Sequence, residues 1–495
     1  NSANGVQVDG VAVQRVRIDE GEPFVVGGTT LVLRLASSFD GSADDDPVIE
    51  RGGGLLFNRS PRVELRYPGT QFKPPRLPTE KIGKVFPWPI LVAPILMGVA
   101  LYALNGNPRS LLMIVMTPMM AFGNMINQSV QSKRSTNHEF MLFERQYEQL
   151  EEDLFRGKPE EERARNAEAP PVAEVFEHAM RLGPMLWTRR PEHWNFLGLR
   201  LGRTRLPARN AIGDAESPEG LPEYIERVER LQERYAMVDD VPIFETLADA
   251  GSVGIAGPPG PVADAMRGLA VQLFGMHAPN DVVVVAFSDS AWVPQLEWLK
   301  WLPHTSSDRS PFRDIALADS APTSAALLNA LEEYVLRAEA GHQEGEPRGP
   351  FIEDWHPLLY GTDVARAAGD HKLTPELSVI VLLTSDAPVD RGRLTDVLER
   401  GADHGIHALV VSPTVESLPA VCRSYIDVSR GLDDATIGLV RTGQEFQHIA
   451  VEGVSQDYMM MLARRLAPVV DASTVVHDAS DIPSAVMFLQ LVDPG

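Results

Sequence analysis

The sequence predicts a multidomain chain: a small β-sandwich fragment, a two-helix transmembrane hairpin, a helical stalk and an α/β domain built on a parallel sheet. Three observations predict it. Two uncharged apolar runs lie close together near the front. Apolar residues at alternating spacings of three and four follow them. From Val172 to Gly495, short apolar runs alternate with helical stretches, the pattern of strands joined by right-handed crossovers.

Bulk properties bound the answer first. The 495 residues suffice for roughly two to four units. With 44% hydrophobic and 23% charged residues, most of the chain is expected to be globular. A formal net charge of -23 repels phosphate backbones, which disfavours nucleic acid as a partner. The single cysteine, Cys422, excludes an intrachain disulfide framework, favours a reducing compartment and reads as a small buried residue. The opening Asn1–Gly10 is polar and is no signal peptide. Lacking an initiator Met, the sequence is expected to start inside a longer protein.

Residues 1–57 read as a β fragment. VQVDGVAVQRVRI and FVVGGTTLVLRL alternate apolar and polar residues around glycine-containing turns. They supply half of a sandwich rather than a whole one. Residues 58–87 read as a loop-rich linker, with LLFNRSPRVELRY a possible added strand pair.

The hairpin occupies 88–127. Its runs, Trp88–Leu104 and Ser110–Ile126, are each about 17 residues, the short end of what crosses a bilayer. Only Asn105–Arg109 separates them, so the helices must be antiparallel neighbours. Pro94 and Pro118 predict kinks, and Trp88 and Tyr102 are placed as interfacial anchors. Lys73, Arg76, Lys81 and Lys84 precede the first run and Lys133 and Arg134 follow the second. By the positive-inside rule both flanks are cytoplasmic. A buried hairpin in a soluble core is the rival reading.

A stalk follows at 128–158. Phe140, Phe143, Tyr147, Leu150 and Leu154 form a heptad seam, expected to pair with a neighbouring helix. It is expected to end in a charged linker at Gly157–Pro171.

Residues 172–495 carry the strand–turn–helix SVGIAGPPGPVADAMRGLAVQLF, the setting in which a phosphate loop is credible. A working loop reads GxxxxGK[ST]. Its backbone N–H groups wrap phosphate, its Lys neutralises charge and its hydroxyl holds Mg²⁺. Counted from Gly257, Val262 stands at the second glycine, Ala263 at the lysine and Asp264 at the hydroxyl. Pro258, Pro259 and Pro261 delete three N–H donors. A carboxylate about 4 Å from a phosphate charge would repel it by roughly 4 kcal/mol at moderate effective dielectric. Asp264 is free instead to cap the helix. The segment Val379–Thr384 ends without an acid, and Asp386 beyond it reads as a cap. No HExxH, cysteine cluster or Gly-x-Ser-x-Gly occurs, so no catalytic residue, metal ligand or cofactor site is expected in this segment.

This arrangement resembles the membrane ATPases of type VII (ESX) secretion, the EccC/EssC group of the FtsK/SpoIIIE superfamily. Leu186–Pro191 (LWTRRP) with Phe196–Gly202 (FLGLRLG) is similar to that family's entry strand. Glu297–His304 (EWLKWLPH) is similar to its WLKWLPH segment. Gly405–Ser412 (GIHALVVS) looks like an FtsK-type strand, but Pro413 stands where those motors have a polar sensor. The resemblance, from about Phe57 to Gly495, implies a first, degenerate ATPase-like domain, with active motor domains, ATP and Mg²⁺ beyond Gly495. It implies inner-membrane secretion subunits as partners, hexameric assembly, and export of small helical WXG-type proteins. Trp298, Lys300, Trp301 and His304 are interaction candidates, either a docking face for a later motor domain or core packing.

Asn1–Leu35 is similar to the last third of a forkhead-associated (FHA) domain through Ser2, Asn4 and Gly5. Asn4 would contact a phosphothreonine peptide. Rival functions are an FtsK-type DNA translocase segment, a membrane phosphothreonine-binding signalling protein, and a domain that still binds and hydrolyses nucleotide weakly.

Overall fold

A computed structural model describes residues 54–79, 111–213, 220–343 and 377–472, the short strands within the first 51 residues, and a few helical residues between 92 and 104. The chain divides into two compact units, 1–49 and 50–495. The first holds β1 (Val6–Val8), β2 (Val11–Val13), β3 (Pro23–Val26) and β4 (Thr29–Val32), an antiparallel sheet of order β2-β1-β3-β4. Only two residues separate β1 from β2, and two separate β3 from β4. These strands alone do not identify an FHA domain, and Asn4 lies outside the described residues.

After β5 (Val48–Arg51), β6 (Gly54–Phe57) opens the second unit's own packing. It pairs in parallel with β19 (Val469–Asp471). The added strand pair expected over LLFNRSPRVELRY is therefore not formed, because residues 58–70 hold no strand and β6 finds its partner over 400 residues away. Within 58–87 the structure finds β7 (Gln71–Phe72), paired in parallel with β9 (Ala211–Ile212).

The hairpin expected from the sequence gains no support here. Among the described residues no helix is long and apolar enough to cross a membrane. The first run lies mostly outside the described residues, although Leu96, Met97 and Leu104 are exposed. The second is helical from Leu111, within α1 (Leu111–Glu168), one unbroken 58-residue helix.

That helix also corrects the stalk. The stretch read as a linker after 158 is helical to Glu168. Tertiary contacts outweigh its composition. Buried Glu161 accepts from the Arg209 and Asn210 N–H groups at 2.7 and 3.0 Å, and Arg165 donates to Pro207 O at 2.9 Å. The seam is covered within the chain by α3 (Pro222–Tyr235). Phe143 meets Tyr224 edge-on at 4.8 Å, while Leu150 and Leu154 pack with Leu231 and Phe72. Arg227 makes a bidentate ion pair with Glu144 at 2.6 and 2.9 Å.

Beyond α2 (Val172–Arg181), β8 (Gly198–Pro207) and β10 (Met237–Thr246) form an antiparallel pair. A short turn of helix, α4 (Leu247–Ala250), then leads into β11 (Ser252–Ala256), which is followed by α5 (Pro259–Met276), β12 (Val282–Phe287), a 3₁₀ segment Val293–Trp301, β13 (Leu317–Ala318) and α6 (Ala321–Gln343). Next come β14 (Ser378–Leu383), α7 (Arg391–Gly401), β15 (Ile406–Ser412), β16 (Ser424–Asp427), β17 (Ala435–Leu439), β18 (Gln444–Ile449) and α8 (Gln456–Leu466).

The sheet order is β13-β12-β14-β15-β11-β16-β17-β18. Strands β13 to β16 are parallel, and β17 and β18 are antiparallel. The predicted parallel sheet is thus present, with the Ile437 strand reversed. Every residue of β11, β12, β14 and β15 is buried, which explains their continuous apolar composition. One face carries Val283, Val285 and Phe287 with Val379, Val381 and Leu383 against Leu327, Leu331, Leu394 and Leu398 of α6 and α7. Cys422 lies in that core, and burial pushes its thiol up to about 12, as its reading as a small buried residue requires.

The degenerate phosphate-loop site

Strand β11 sits between β15 and β16, with β14 beyond β15. From β11 the chain moves out to β12, returns through β14 and β15, and then crosses to β16. The order reverses at β11, and the carboxyl end of such a strand is where α/β folds place their ligands. The loop Gly257–Asp264 stands there.

Gly257 has φ +138° and donates its N–H to Ser412 O at 3.1 Å. A side chain at Gly257 would lie 3.0 Å from Ser429 N, so the loop after β16 closes over this turn. Pro258 caps α5, and Pro259 and Pro261 occupy its first turn. The Val262 N–H already bonds Pro258 O at 3.1 Å. Between Gly257 and Pro261, only Gly260 keeps an N–H not removed by proline or taken by Ser412. Val262 and Ala263, at the glycine and lysine positions, are fully buried in the helix.

The carboxylate of Asp264 pairs with Arg267 on the same helix. Arg267 is itself buried and donates to Val454 O at 2.7 Å and Gln295 Oε1 at 3.0 Å. The Val454 N–H returns to Asp264 O at 3.0 Å. Asp264 therefore does not make the helix-capping contact expected of it. The prolines already dispose of the orphan N–H groups, and the acid is held by Arg267 instead.

The metal side is equally altered. Beyond β14, Thr384 Oγ1 is buried and Arg391 donates to Thr384 O at 3.0 Å and to Ser385 O. A guanidinium thus closes over the carbonyls at the end of β14. At the end of β15, Ser412 Oγ meets Ser417 Oγ at 2.5 Å, inside a capping box begun by Thr414. Among the described residues no group of three or more His, Cys, Asp or Glu side chains could hold a metal ion.

The motifs that carry the resemblance meet at the opposite end of α5. The C-terminal carbonyls of α5 would be orphaned by the helix itself. Trp187 takes two of them, its N–H bonding Gly275 O at 3.0 Å and its indole Nε1 bonding Phe274 O at 3.1 Å. Arg189 N–H takes Met276 O at 2.9 Å. The C-cap His277 donates from Nδ1 to Leu273 O at 2.8 Å and accepts at Nε2 from Leu197 N–H at 2.9 Å, which fixes a neutral ring. His304 Nε2 donates to His277 O at 2.8 Å. Trp187 and Leu197 hold φ of 58° and 55°, a costly region for side-chain-bearing residues that persists only where the surroundings impose it.

The interaction candidates therefore separate. Trp298 and His304 are 0% exposed and serve this cap and the core. Lys300 and Trp301 face solvent, with the Arg464 guanidinium 5.3 Å from the Trp301 ring and Tyr458 and Met461 exposed on the same helix, α8. Arg267, Glu452 and Arg391 were not legible as site residues. Arg267 and Glu452 meet Val454 O and Val172 N–H from far away in sequence, and Arg391 turns back on carbonyls six and seven residues before it.

Fold and site define a P-loop-like α/β domain whose loop lacks the usual phosphate-binding groups. No family model matches the chain. Type VII secretion protein EssC of Staphylococcus aureus is 21% identical over 474 residues, 92% of this chain and 30% of that protein. ESX secretion system protein EccC of Thermomonospora curvata is 26% identical over 243 residues, 47% of this chain and 18% of that protein. A solved structure of ATPases 2 and 3 of Thermomonospora curvata EccC in complex with a signal sequence peptide aligns with TM-score 0.31 at 16% identity, covering 47% of this chain and 44% of that one. The chain is a homologue of the EssC/EccC type VII secretion ATPases. It spans less than a third of the length of these curated relatives.

Proposed function

We propose that this chain is the membrane-anchoring and regulatory segment of a type VII secretion motor, and that its ATPase-like domain does not bind ATP. The loop geometry carries the second half. The lysine position is a buried alanine, three loop residues have no N–H, and the acid at the hydroxyl position is tied to Arg267. Titration of the chain with a non-hydrolysable ATP analogue and Mg²⁺ in a calorimeter tests it. No saturable binding is expected, and micromolar binding would overturn the reading.

Anchoring is supported by the two apolar runs, their cationic flanks, and the exposure of Leu96, Met97 and Leu104. Both flanks are cytoplasmic on this reading, and the bacterial inner membrane is the location. Alkaline phosphatase fused into Asn105–Arg109 should be active; an inactive fusion refutes the topology. The partners are subunits of the secretion complex and motor domains of the same longer protein, assembled as a hexamer. The substrates are small helical WXG-type proteins, in keeping with a relative solved with a signal sequence peptide.

A further inference from the structure

We infer that the stalk helix α1 and the loop-bearing helix α5 form one rigid strut, so that the degenerate phosphate-loop face is held at a fixed angle to the far end of the stalk. This rests on the membrane-anchoring reading for its purpose only.

Three buried arginines make the joint. Arg189 NH1 donates to Gly198 O at 2.7 Å and NH2 to Glu168 O at 3.0 Å, so one guanidinium ties β8 to the last residue of the stalk. Burial pulls Arg189 down to about 10, which leaves it charged at neutral pH. Arg200 NH1 donates to Asn166 Oδ1 at 3.1 Å and Ala169 O at 2.7 Å. Its backbone exchanges two bonds with the α5 side chain Gln272, at 2.7 and 3.0 Å. Arg165 closes the stalk end on Pro207 O. Cations at a helix C-terminus complement its dipole, and buried guanidinium bonds to carbonyls are costly to break.

A second path joins the same elements. Glu452 Oε2 accepts from Val172 N–H at 2.8 Å, just past the stalk, and Oε1 lies 3.5 Å from Arg200 Nε. Two residues on, Val454 is bonded both ways to the first turns of α5 through Asp264 and Arg267. Midway, a side chain at Gly268 would come within 2.1 Å of Glu452 O, so the segment 451–454 lies directly on α5. The stalk end is thus tied to α5 near its C-terminus through Arg189 and Gln272, and near its N-terminus through Glu452–Val454.

The geometry sets the consequence. Helix α5 spans about 27 Å, and the stalk runs about 50 Å beyond its ion pair at Glu144, at about 1.5 Å per residue. A tilt of about 5° at the joint, which lies about 85 Å along the helix from Leu111, would move that far end by about 7 Å. A rigid joint therefore sets where the loop face sits relative to the predicted second span.

Spin labels at Asn137→Cys and Glu416→Cys in the full chain read the angle directly, because Cys422 is buried. Pulsed electron–electron resonance should give a distance distribution as narrow as that of a core pair, Lys300→Cys with Glu416→Cys. A stalk distribution two or more times wider than the core pair overturns the strut. Arg200→Gln should raise amide exchange about tenfold both at residues 166–172 and in the last turns of α5, while β14 and β15 stay unchanged. Glu452→Gln, a milder change that retains the guanidinium, should move the same two segments less. Loosening of one segment without the other shows two independent contacts and refutes the coupling. None of these outcomes bears on ATP binding, so failure here leaves the calorimetric test of the domain intact.

Discussion

Lowering the pH from 7 to 5 should destabilise the second unit through two histidines that never face solvent. His277 and His304 are both 0% exposed. Burial, with Arg189 nearby, pulls His277 down to about 3, and burial pulls His304 down to about 4. An unfolded histidine titrates near 6.5. Between those values the unfolded chain binds more protons than the native one. Stability is therefore full above about 6.5 and is lost as pH falls toward 4 and then 3. At pH 5 the solution lies about 1.5 units below the unfolded value and still above both native ones, a loss of about 2 kcal/mol per histidine. The hydrogen bonds agree with this sign, since a proton on His277 Nε2 would expel the Leu197 N–H it accepts. The assay is chemical denaturation followed by fluorescence of the buried Trp187 and Trp298. His304→Phe isolates one ring, keeping its tilted contact with Phe274 (4.9 Å) while losing the bond to His277 O. The variant should be about 1–3 kcal/mol less stable at pH 7. It should then lose about 2 kcal/mol less than the parent between pH 7 and 5. An identical pH slope in parent and variant would refute the buried neutral ring.

Further outcomes follow from the same contacts. Gly268→Ala forces a Cβ against Glu452 O at 2.1 Å and should cost about 2 kcal/mol or more in denaturant unfolding. Trp298→Ala should cost about 3–5 kcal/mol, whereas the half-exposed Trp301→Ala should cost under about 1 kcal/mol and leave folding intact. Restoring the loop residues with Val262→Gly, Ala263→Lys and Asp264→Thr should still give no saturable ATP binding by calorimetry. The prolines and the Arg267 bonds to Val454 O and Gln295 remain, and a lysine at a buried position should lower the melting midpoint. Cys422 should resist maleimide in the native chain and react after unfolding, since burial holds it as a thiol near pH 7.

Much of the second unit was legible because its determinants are local. The apolar runs Val253–Ala256, Val282–Phe287, Val379–Thr384 and His407–Val411 mark β11, β12, β14 and β15 to within a residue or two. The glycine turn and following periodicity marked α5. Other features were misread where distant contacts override composition. Gly157–Glu168 looks like a charged linker, yet Glu161 is buried against two backbone N–H groups and Arg165 against a carbonyl. EWLKWLPH left open whether its rings form a docking face or core packing, and the answer differs between them. Its 3₁₀ winding buries Trp298, the following Leu302–His304 turn buries His304, and Trp301 is left outside.

The sequence by itself determined what the loop lacks. A missing lysine, a missing glycine and three prolines are facts of composition, and the loss of N–H donors follows from the proline ring alone. Only the tertiary structure decided what occupies the place of that chemistry. Asp264 could have capped its helix or faced a ligand; Arg267 on the same helix holds it, and Arg267 is itself fixed by Val454 and Gln295 from segments that meet only in the folded chain. Likewise, LWTRRP, FLGLRLG and EWLKWLPH are separate strings in sequence. They become one cap because the carbonyls at the end of α5 must find donors, and those donors come from wherever the fold brings the chain past.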